Sequence, residues 1–317
     1  MIKDAALAKR HDLKAFAGMY FKHDYQNYLG SITPDFKDRK AGTIINNTRG
    51  LVGLETGGGL KSILTLRQNA WDRRTFGFRV ASVADICGTE TATIAALLAH
   101  IVRMAKKQGI KLLTVRISDN NKDLLSLLQG HGFKVVDTLN ILIATPNMPA
   151  LKGTQSVRGI VFTAAQRLSS GDVSKTAAFA RDAFVTGRIY NDTRMTERLK
   201  TRFYKRLVES HLNNPQTCKV IAKHKGVPVG VICCERDRAL SQGPGLKFGY
   251  LNIIAVHPKY QDKKVAHSLF KVFFKHYADD FNILEVGTQT NNYPALNFYR
   301  KMGLKFVSSL VTLHLWP

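Results

Sequence analysis

The chain has 317 residues, 44% hydrophobic and 22% charged, with 47 Lys and Arg against 23 Asp and Glu for a formal net charge of +24. That length holds about two domains of ordinary size, each able to bury a core. No apolar run is long enough to span a bilayer, so no membrane partner is expected. The charge speaks to partners rather than fold. Its lysines are scattered instead of gathered in a tail, and no aromatic–basic interleaving marks a nucleic-acid motif. Nucleic acid and phosphorylated small molecules both remain compatible with it. The start, Met-Ile-Lys-Asp-Ala-Ala-Leu, has no signal-peptide core. Cys87, Cys218, Cys233 and Cys234 have no metal-ligand spacing, so a cytoplasmic protein without metal is expected.

In chain order, residues 1–70 form an extension of unknown role, with an amphipathic pattern over Ala5–Phe21 and a turn at Gly57–Gly59. Trp71-Asp72 and Phe76-Gly77-Phe78 open a first domain over 71–145. Within it the patterns predict a strand near Arg79–Val83, a helix over Glu90–Lys107, a strand over Lys111–Ile117, a helix over Asn121–Gln129 and a strand over Phe133–Ile143. A Pro- and Gly-marked linker, 146–156, follows. The second domain, 157–317, begins with a strand at Gly159–Thr163 and a helix capped by Ser169–Asp172 that runs to Phe184. Next come a helix over Arg198–Leu212 and a hairpin of Lys219–Lys223 with Pro228–Glu235, turning at Lys225-Gly226. Lys247–Val256 is a buried strand, and Val265, Leu269, Val272 and Phe273 fall on one helical face after a basic loop. Ile283–Thr288, a Pro-initiated helix at Pro294–Lys301, and final strands over Lys305–Leu315 complete the chain.

The sequence also repeats. Shifted by 171 residues without a gap, Leu113 falls on Leu284, Asn121 on Asn292, Gly132 on Gly303, Lys134 on Lys305 and Val136 on Val307. The first copy has Leu128 where the second has Tyr299, and it lacks the basic loop before its helix. It reads as a structural partner without cofactor chemistry.

A strand, a short loop and a helix N-terminus make an anion site, because unpaired N–H groups and the helix dipole converge there. Gln261, Lys264 and Ala266 stand at the key positions of a Gln/Arg-x-x-Gly-x-Gly/Ala loop, with lysine replacing the first glycine. Asn292, Ala295, Phe298, Tyr299 and Gly303 form Asn-x-x-Ala-x-x-Phe-Tyr-x-x-x-Gly. Together these resemble the acetyl-coenzyme A core of the GNAT superfamily of N-acetyltransferases. The resemblance implies an α/β (α+β) mixed sheet of GNAT type, preceded by a degenerate GNAT-like half-domain.

It also implies acetyl-coenzyme A as co-substrate. Backbone amides around Ile253, Ile254, Ala255 and Val256 would hold the thioester and pantetheine arm, provided a bulge splays that strand. Those from Gln261 through Lys263, Lys264, Val265 and Ala266 would take the pyrophosphate, with Asp262 as helix N-cap. Asn292 would hydrogen-bond the cofactor arm, and Ala295 and Phe298 complete the motif. Tyr299 would be the general acid, since a phenol can protonate a leaving thiolate. The general base stays open among Glu285, Glu235, Asp237 and His257, with Glu285 taken beside Tyr299 as the working pair.

Trp71-Asp72, Phe76-Gly77, Val135-Val136-Asp137, Phe184…Gly187-Arg188-Ile189-Tyr190 and Phe203-Tyr204 further resemble nucleotide-sugar amine acetyltransferases of the dTDP-fucosamine type. Gly187 and Ile189 depart from the Ser and Phe more frequent there. This implies a nucleotide-linked amino sugar as small-molecule acceptor, with Arg188 and Tyr190 gripping diphosphate and ring. A protein, tRNA-linked or polyamine acceptor, a basic nucleic-acid-binding protein and a cofactor-dead scaffold are the alternatives. A homodimer is left open.

Overall fold

A computed structural model describes residues 2–4, 50–56, 59–151, 156–181, 184, 186–238, 241 and 247–317. The patterns over Ala5–Phe21, at Gly57 and Gly58, and most of the loop before Lys247 lie outside them. The chain divides into two compact units, Met1–Leu139 with Val307–Pro317, and Asn140–Phe306.

The first unit is a sheet of β1 (Ile2–Asp4), β2 (Leu51–Thr56), β3 (Gly59–Gln68), β4 (Arg79–Gly88), β5 (Ile110–Ser118) and the C-terminal strand β12 (Lys305–Leu315), in that order. Its helices are α1 (Ala70–Phe76), α2 (Thr91–Lys107) and α3 (Lys122–Gly130). Ile2–Asp4, Leu51–Thr56 and Gly59–Gln68, which the sequence places in an extension of unknown role, therefore supply strands of this sheet. The β4–β5 register is parallel and runs to Val83↔Val115. Beyond it β4 carries a register shift against β3, where Asp85 takes a left-handed φ of 51° and pairs with Arg67 at 2.6 Å.

The second unit takes the end of β6 (Lys134–Ala144), whose Asn140–Ala144 segment belongs to it. Its own strand order is β6, β11 (Ile283–Gln289), β10 (Phe248–Val256), β9 (Val227–Arg236), β8 (Cys218–His224), β7 (Ile160–Ala164). Thus β12, which follows the second copy in sequence, pairs with β5 from Leu310↔Ser118 to Leu315↔Leu113. The linear boundary that placed all of 157–317 in one domain is corrected accordingly. Part of the linker is also structured: a 3₁₀ turn at Pro149–Leu151 buries Met148 and Leu151 in the second unit's core.

Two helical layers cover the second sheet. On one face lies α7 (Val265–Tyr277), whose Val265, Leu269 and Phe273 recur every fourth residue and bury fully with Phe270 and Phe281. Each such side chain contributes roughly 1.5–3 kcal/mol of burial. Gly230 of β9 lets α7 approach, since a Cβ there would meet Leu269 at 3.0 Å. On the other face, α4 (Ser170–Arg181) and α6 (Glu197–Asn213) pack Val173, Ala177, Val208 and Leu212 against Val231, Cys233, Ile253 and Ala255. Thr196 caps α6 by accepting from Leu199 N–H, and Tyr204, Val208 and Leu212 give it one buried stripe. A single turn, α5 (Arg188–Asn191), precedes α6, and α8 (Tyr293–Lys301) follows β11.

The repeat is visible in the elements. α3 falls on α8 and β6 on β12, residue for residue at the same shift, and Gly132 and Gly303 share left-handed φ values of 88° and 82°.

Candidate active site

The site begins at a fault in β10. Its parallel register with β11 runs from Phe248↔Ile283 to Leu251↔Val286, and from Ile253 to Val256 the strand pairs with β9. Between Leu251 and Ile253 the β9 register shifts, leaving Asn252 as an extra residue. The bulge breaks the alternation of faces. Leu251 joins the α7 face, while Asn252 reaches His211 of α6 and Ile253 buries beneath α4 and α6. Past it, Ile254 and Val256 are half-buried toward α7 and Ala255 is buried toward α6. The backbone edge that turns from β11 here is the one a thioester arm requires.

The loop after β10 is built for an anion. Gln261 Nε2 donates back to the Val256 carbonyl at 3.4 Å, and Lys263 Nζ stands 5.1 Å over the Tyr260 ring. Asp262 and Lys264 both adopt left-handed φ, 60° and 61°. Lysine therefore occupies the glycine position of the loop in glycine's conformation, and the alternating backbone makes a concavity of N–H groups at the start of α7. Asp262 is not the N-cap: Lys264 holds that position without a side-chain cap bond. Val265 is buried beneath the loop and Ala266 is half-buried. These residues fit a coenzyme A diphosphate.

At α8, Asn292 Oδ1 accepts from Ala295 N–H at 3.3 Å, so the side chain caps the helix and leaves its amide donor for other partners. Ala295 and Phe298 pack on the α7 face, with Phe298 against His267 and Phe270. Tyr299 is 4% exposed and sits with Cys234, Leu284 and Met302. Burial, aided by Cys234, pushes its phenol well above the ordinary tyrosine range. It therefore keeps its proton at all physiological pH.

The opposite face carries the carboxylates. Glu285 is half-exposed on β11 in register with Tyr250, which in turn pairs with Glu235. Tyr250 donates to Asp237 at 2.9 Å; burial, then Glu285 and Asp237, push its phenol up. Glu235 Oε1 accepts from His211 Nδ1 at 3.1 Å, Asn214 at 3.0 Å and Thr217 at 3.0 Å, while Oε2 accepts from Asn252 at 3.3 Å. The His211 bond leads in lowering the Glu235 carboxyl to about 2. Such a carboxylate orients its neighbours and takes no proton near neutrality. His257, another base candidate, accepts from Lys259 N–H and lies against Phe179. His211 and Asn252 were missed by sequence reasoning: one histidine in a charged helix and one bulged asparagine carry no local signal.

Beside the end of β11, Thr186 donates to Gln289 at 3.3 Å. Arg188 lies 5.3 Å over the Phe203 ring, Tyr190 is 40% exposed, and Lys200 stands 4.9 Å over its ring. Tyr204 is buried, stacked on Phe184 at 5.4 Å, and Gly187 makes room for it, because a Cβ there would meet its hydroxyl at 2.4 Å.

Residues 183–304 match the Acetyltransferase (GNAT) family. That segment is thus an acetyltransferase domain of GNAT type. The chain is similar to a GCN5-related N-acetyltransferase from Sphaerobacter thermophilus (TM-score 0.63, 15% identity, 99% of this chain and 95% of that one). It is also similar to a tandem GNAT protein from the clavulanic acid biosynthesis pathway (TM-score 0.56, 12% identity, 97% and 95%). In sequence it is 25% identical over 148 residues to the spore coat polysaccharide biosynthesis protein SpsD of Bacillus subtilis, across 46% of this chain. The match spans 48% of that relative's length, about half. Among the described residues no helix is long and apolar enough to cross a membrane.

Proposed function

We propose that the chain transfers acetyl from acetyl-coenzyme A to the amine of a nucleotide-linked amino sugar. The observation that carries the transferase half is the bulged β10, whose Ile253–Val256 edge parts from β11 above the left-handed loop at Asp262–Lys264. The co-substrate supplies a thioester carbonyl and a thiolate leaving group. N–H groups of the Ile253–Val256 segment hold the pantetheine arm and polarise the carbonyl. Those from Gln261 to Ala266, with Lys263 and Lys264, hold the diphosphate. Asn292 offers its free amide donor to the arm, beside Ala295 and Phe298. Tyr299 gives its proton to the departing sulfur, a thiol of ordinary pKa near ~8.5 being the weaker base.

The acceptor half is supported by the resemblance around Arg188 and by a relative named for polysaccharide biosynthesis. Arg188, 5.3 Å over the Phe203 ring, and Lys200, 4.9 Å over that of Tyr190, provide cations and an aromatic wall suited to a sugar diphosphate. The first unit serves as a structural partner, with Leu128 fully buried where Tyr299 stands in the second copy. The test is a panel of amino-sugar nucleotides, polyamines and peptides assayed with acetyl-coenzyme A, beside RNA binding across a salt series. Turnover of an amino-sugar nucleotide that collapses in Arg188→Ala is expected. Turnover of peptide alone, or steeply salt-dependent RNA binding without transfer, overturns the reading.

A further inference from the structure

We infer that His211 is the general base of the transfer reaction, held by Glu235 on the sheet face opposite Tyr299. The inference rests on the acetyltransferase reading above and names a residue that reading leaves open. His211 sits near the C-terminal end of α6, its side chain 15% exposed, reachable yet fixed. Its Nδ1 donates to Glu235 at 3.1 Å, which sets the tautomer and makes Nε2 the ring's acceptor, 3.4 Å from the Asn252 amide nitrogen. That is the logic by which an ionised carboxylate orients a proton-accepting imidazole. Glu235 is itself fastened by Asn214 and Thr217, so the orienting group does not swing.

Position brings this pair to the chemistry. The Asn252 amide group lies 3.3 Å and 3.4 Å from the two ring nitrogens of His211 and donates to Glu235 Oε2. Asn252 is the bulged residue immediately before the segment that turns from β11. Its Oδ1 is buried and accepts no hydrogen bond. An amide nitrogen facing the carboxylate leaves that oxygen as the group's one acceptor, a buried acceptor without a partner beside the imidazole. Tyr299 belongs to the other face, with Cys234, while Cys233 and Glu235 share the α6 face. Acid and base thus lie on opposite faces of the sheet.

His211 is in hydrogen-bond reach of Glu235 from β9 and Asn252 from β10, and Asn214 and Thr217, after α6, bond the same carboxylate. Lys219 is fully buried, and its ammonium donates to the Asn214 carbonyl at 2.6 Å. Asp237 and Glu285 lie close enough to Tyr250 to raise its phenol, and Val173, Ala177 and Ala180 of α4 pack with Val208 and Leu212 of α6.

The step balances. The acceptor ammonium gives one proton to His211 Nε2, and the freed lone pair forms the C–N bond at the thioester carbonyl carbon. As the C–S bond breaks, sulfur takes the Tyr299 proton, and the tyrosinate recovers one from the new amide nitrogen. His211 releases its proton to solvent, giving acetamide, thiol and one H⁺.

Three measurements test this. Calorimetry with acetyl-coenzyme A should show equal binding for wild type, His211→Gln and Glu235→Gln; absence of binding to wild type would fail the transferase reading itself. With dTDP-fucosamine as probe acceptor, His211→Gln should lose about 100-fold in kcat/KM at pH 7. The deficit should shrink steadily toward pH 10, as solution supplies free amine; a merely structural loss persists at every pH. Glu235→Gln should fall between the two. Full turnover in His211→Gln, or a pH-independent deficit, overturns the proposal. Nitrogen-15 spectra of the wild-type imidazole in the acetyl-coenzyme A complex need no acceptor: a proton on Nδ1 and none on Nε2 is expected, and the reverse tautomer overturns the assignment.

Discussion

Asn121 and Asn292 make the same bond in the two copies. Each side-chain oxygen accepts from the N–H three residues on, Leu124 at 3.1 Å and Ala295 at 3.3 Å, and each opens a helix of identical length. Removing either cap should cost about 1 kcal/mol. Only Asn292→Ala should also weaken acetyl-coenzyme A binding, because only that copy is followed by Tyr299 and faces the parted strand. Paired urea unfolding and calorimetry check both halves of the statement. Equal loss of binding in Asn121→Ala would mean the first unit holds co-substrate too.

Lys264 occupies a backbone conformation that costs a residue with a Cβ roughly 1 kcal/mol. Lys264→Gly should therefore raise stability by about 0.5–1 kcal/mol, while Lys264→Val should lower it by more than about 1 kcal/mol, β-branching being unsuited to left-handed φ. Because the lysine side chain is exposed, its lost charge should shift acetyl-coenzyme A affinity by less than about fivefold. Chemical denaturation and titration of both variants measure this.

Glu235 has a folded-state carboxyl near 2 against an ordinary value of 4.5. A depressed carboxyl contributes stability above its unfolded value and loses it as pH falls through the folded one. The contribution should be about 1–2 kcal/mol, solvent screening the outward side of the group. Wild type should thus lose stability relative to Glu235→Gln between about pH 4.5 and 2. Unfolding midpoints at pH 7 and pH 3 read the difference directly.

Tyr299→Phe should lower kcat by roughly 10²-fold while leaving KM for acetyl-coenzyme A unchanged, since the lost hydroxyl acts on the leaving sulfur alone. Stability should hold, because the ring keeps its packing against Phe298 and the α7 face. Steady-state kinetics with a melting curve separates the two effects.

Much of the second unit's fold was legible in advance because its signals are local. The Pro at the start of α8, the asparagine caps, and the apolar period of α7 all depend on neighbours within a few residues. The strands β2 and β3 gave no reading: Leu51–Gln68 mixes glycines with short apolar pairs broken by polar residues, so neither a strand nor a helix period stands out. The loop glycine position was found from motif spacing, but that lysine would keep the left-handed turn was not, and Asp262 was misplaced as its cap.

By itself the sequence determined most of the element order from Arg79 onward, the duplication and the spacing of the motif residues, because periodicity, caps and repeats are properties of short stretches. Tertiary structure alone decided where the final strand goes. Lys134–Ala144 and Lys305–Leu315 are copies with like patterns, so nothing local tells one which sheet to complete, and long-range packing sends Val307–Pro317 to the first unit and Asn140–Ala144 to the second. It likewise decided the meeting of His211, Glu235 and Asn252. They come from a helix and two strands, and only the bulge that turns Asn252 onto the α6 face brings them together.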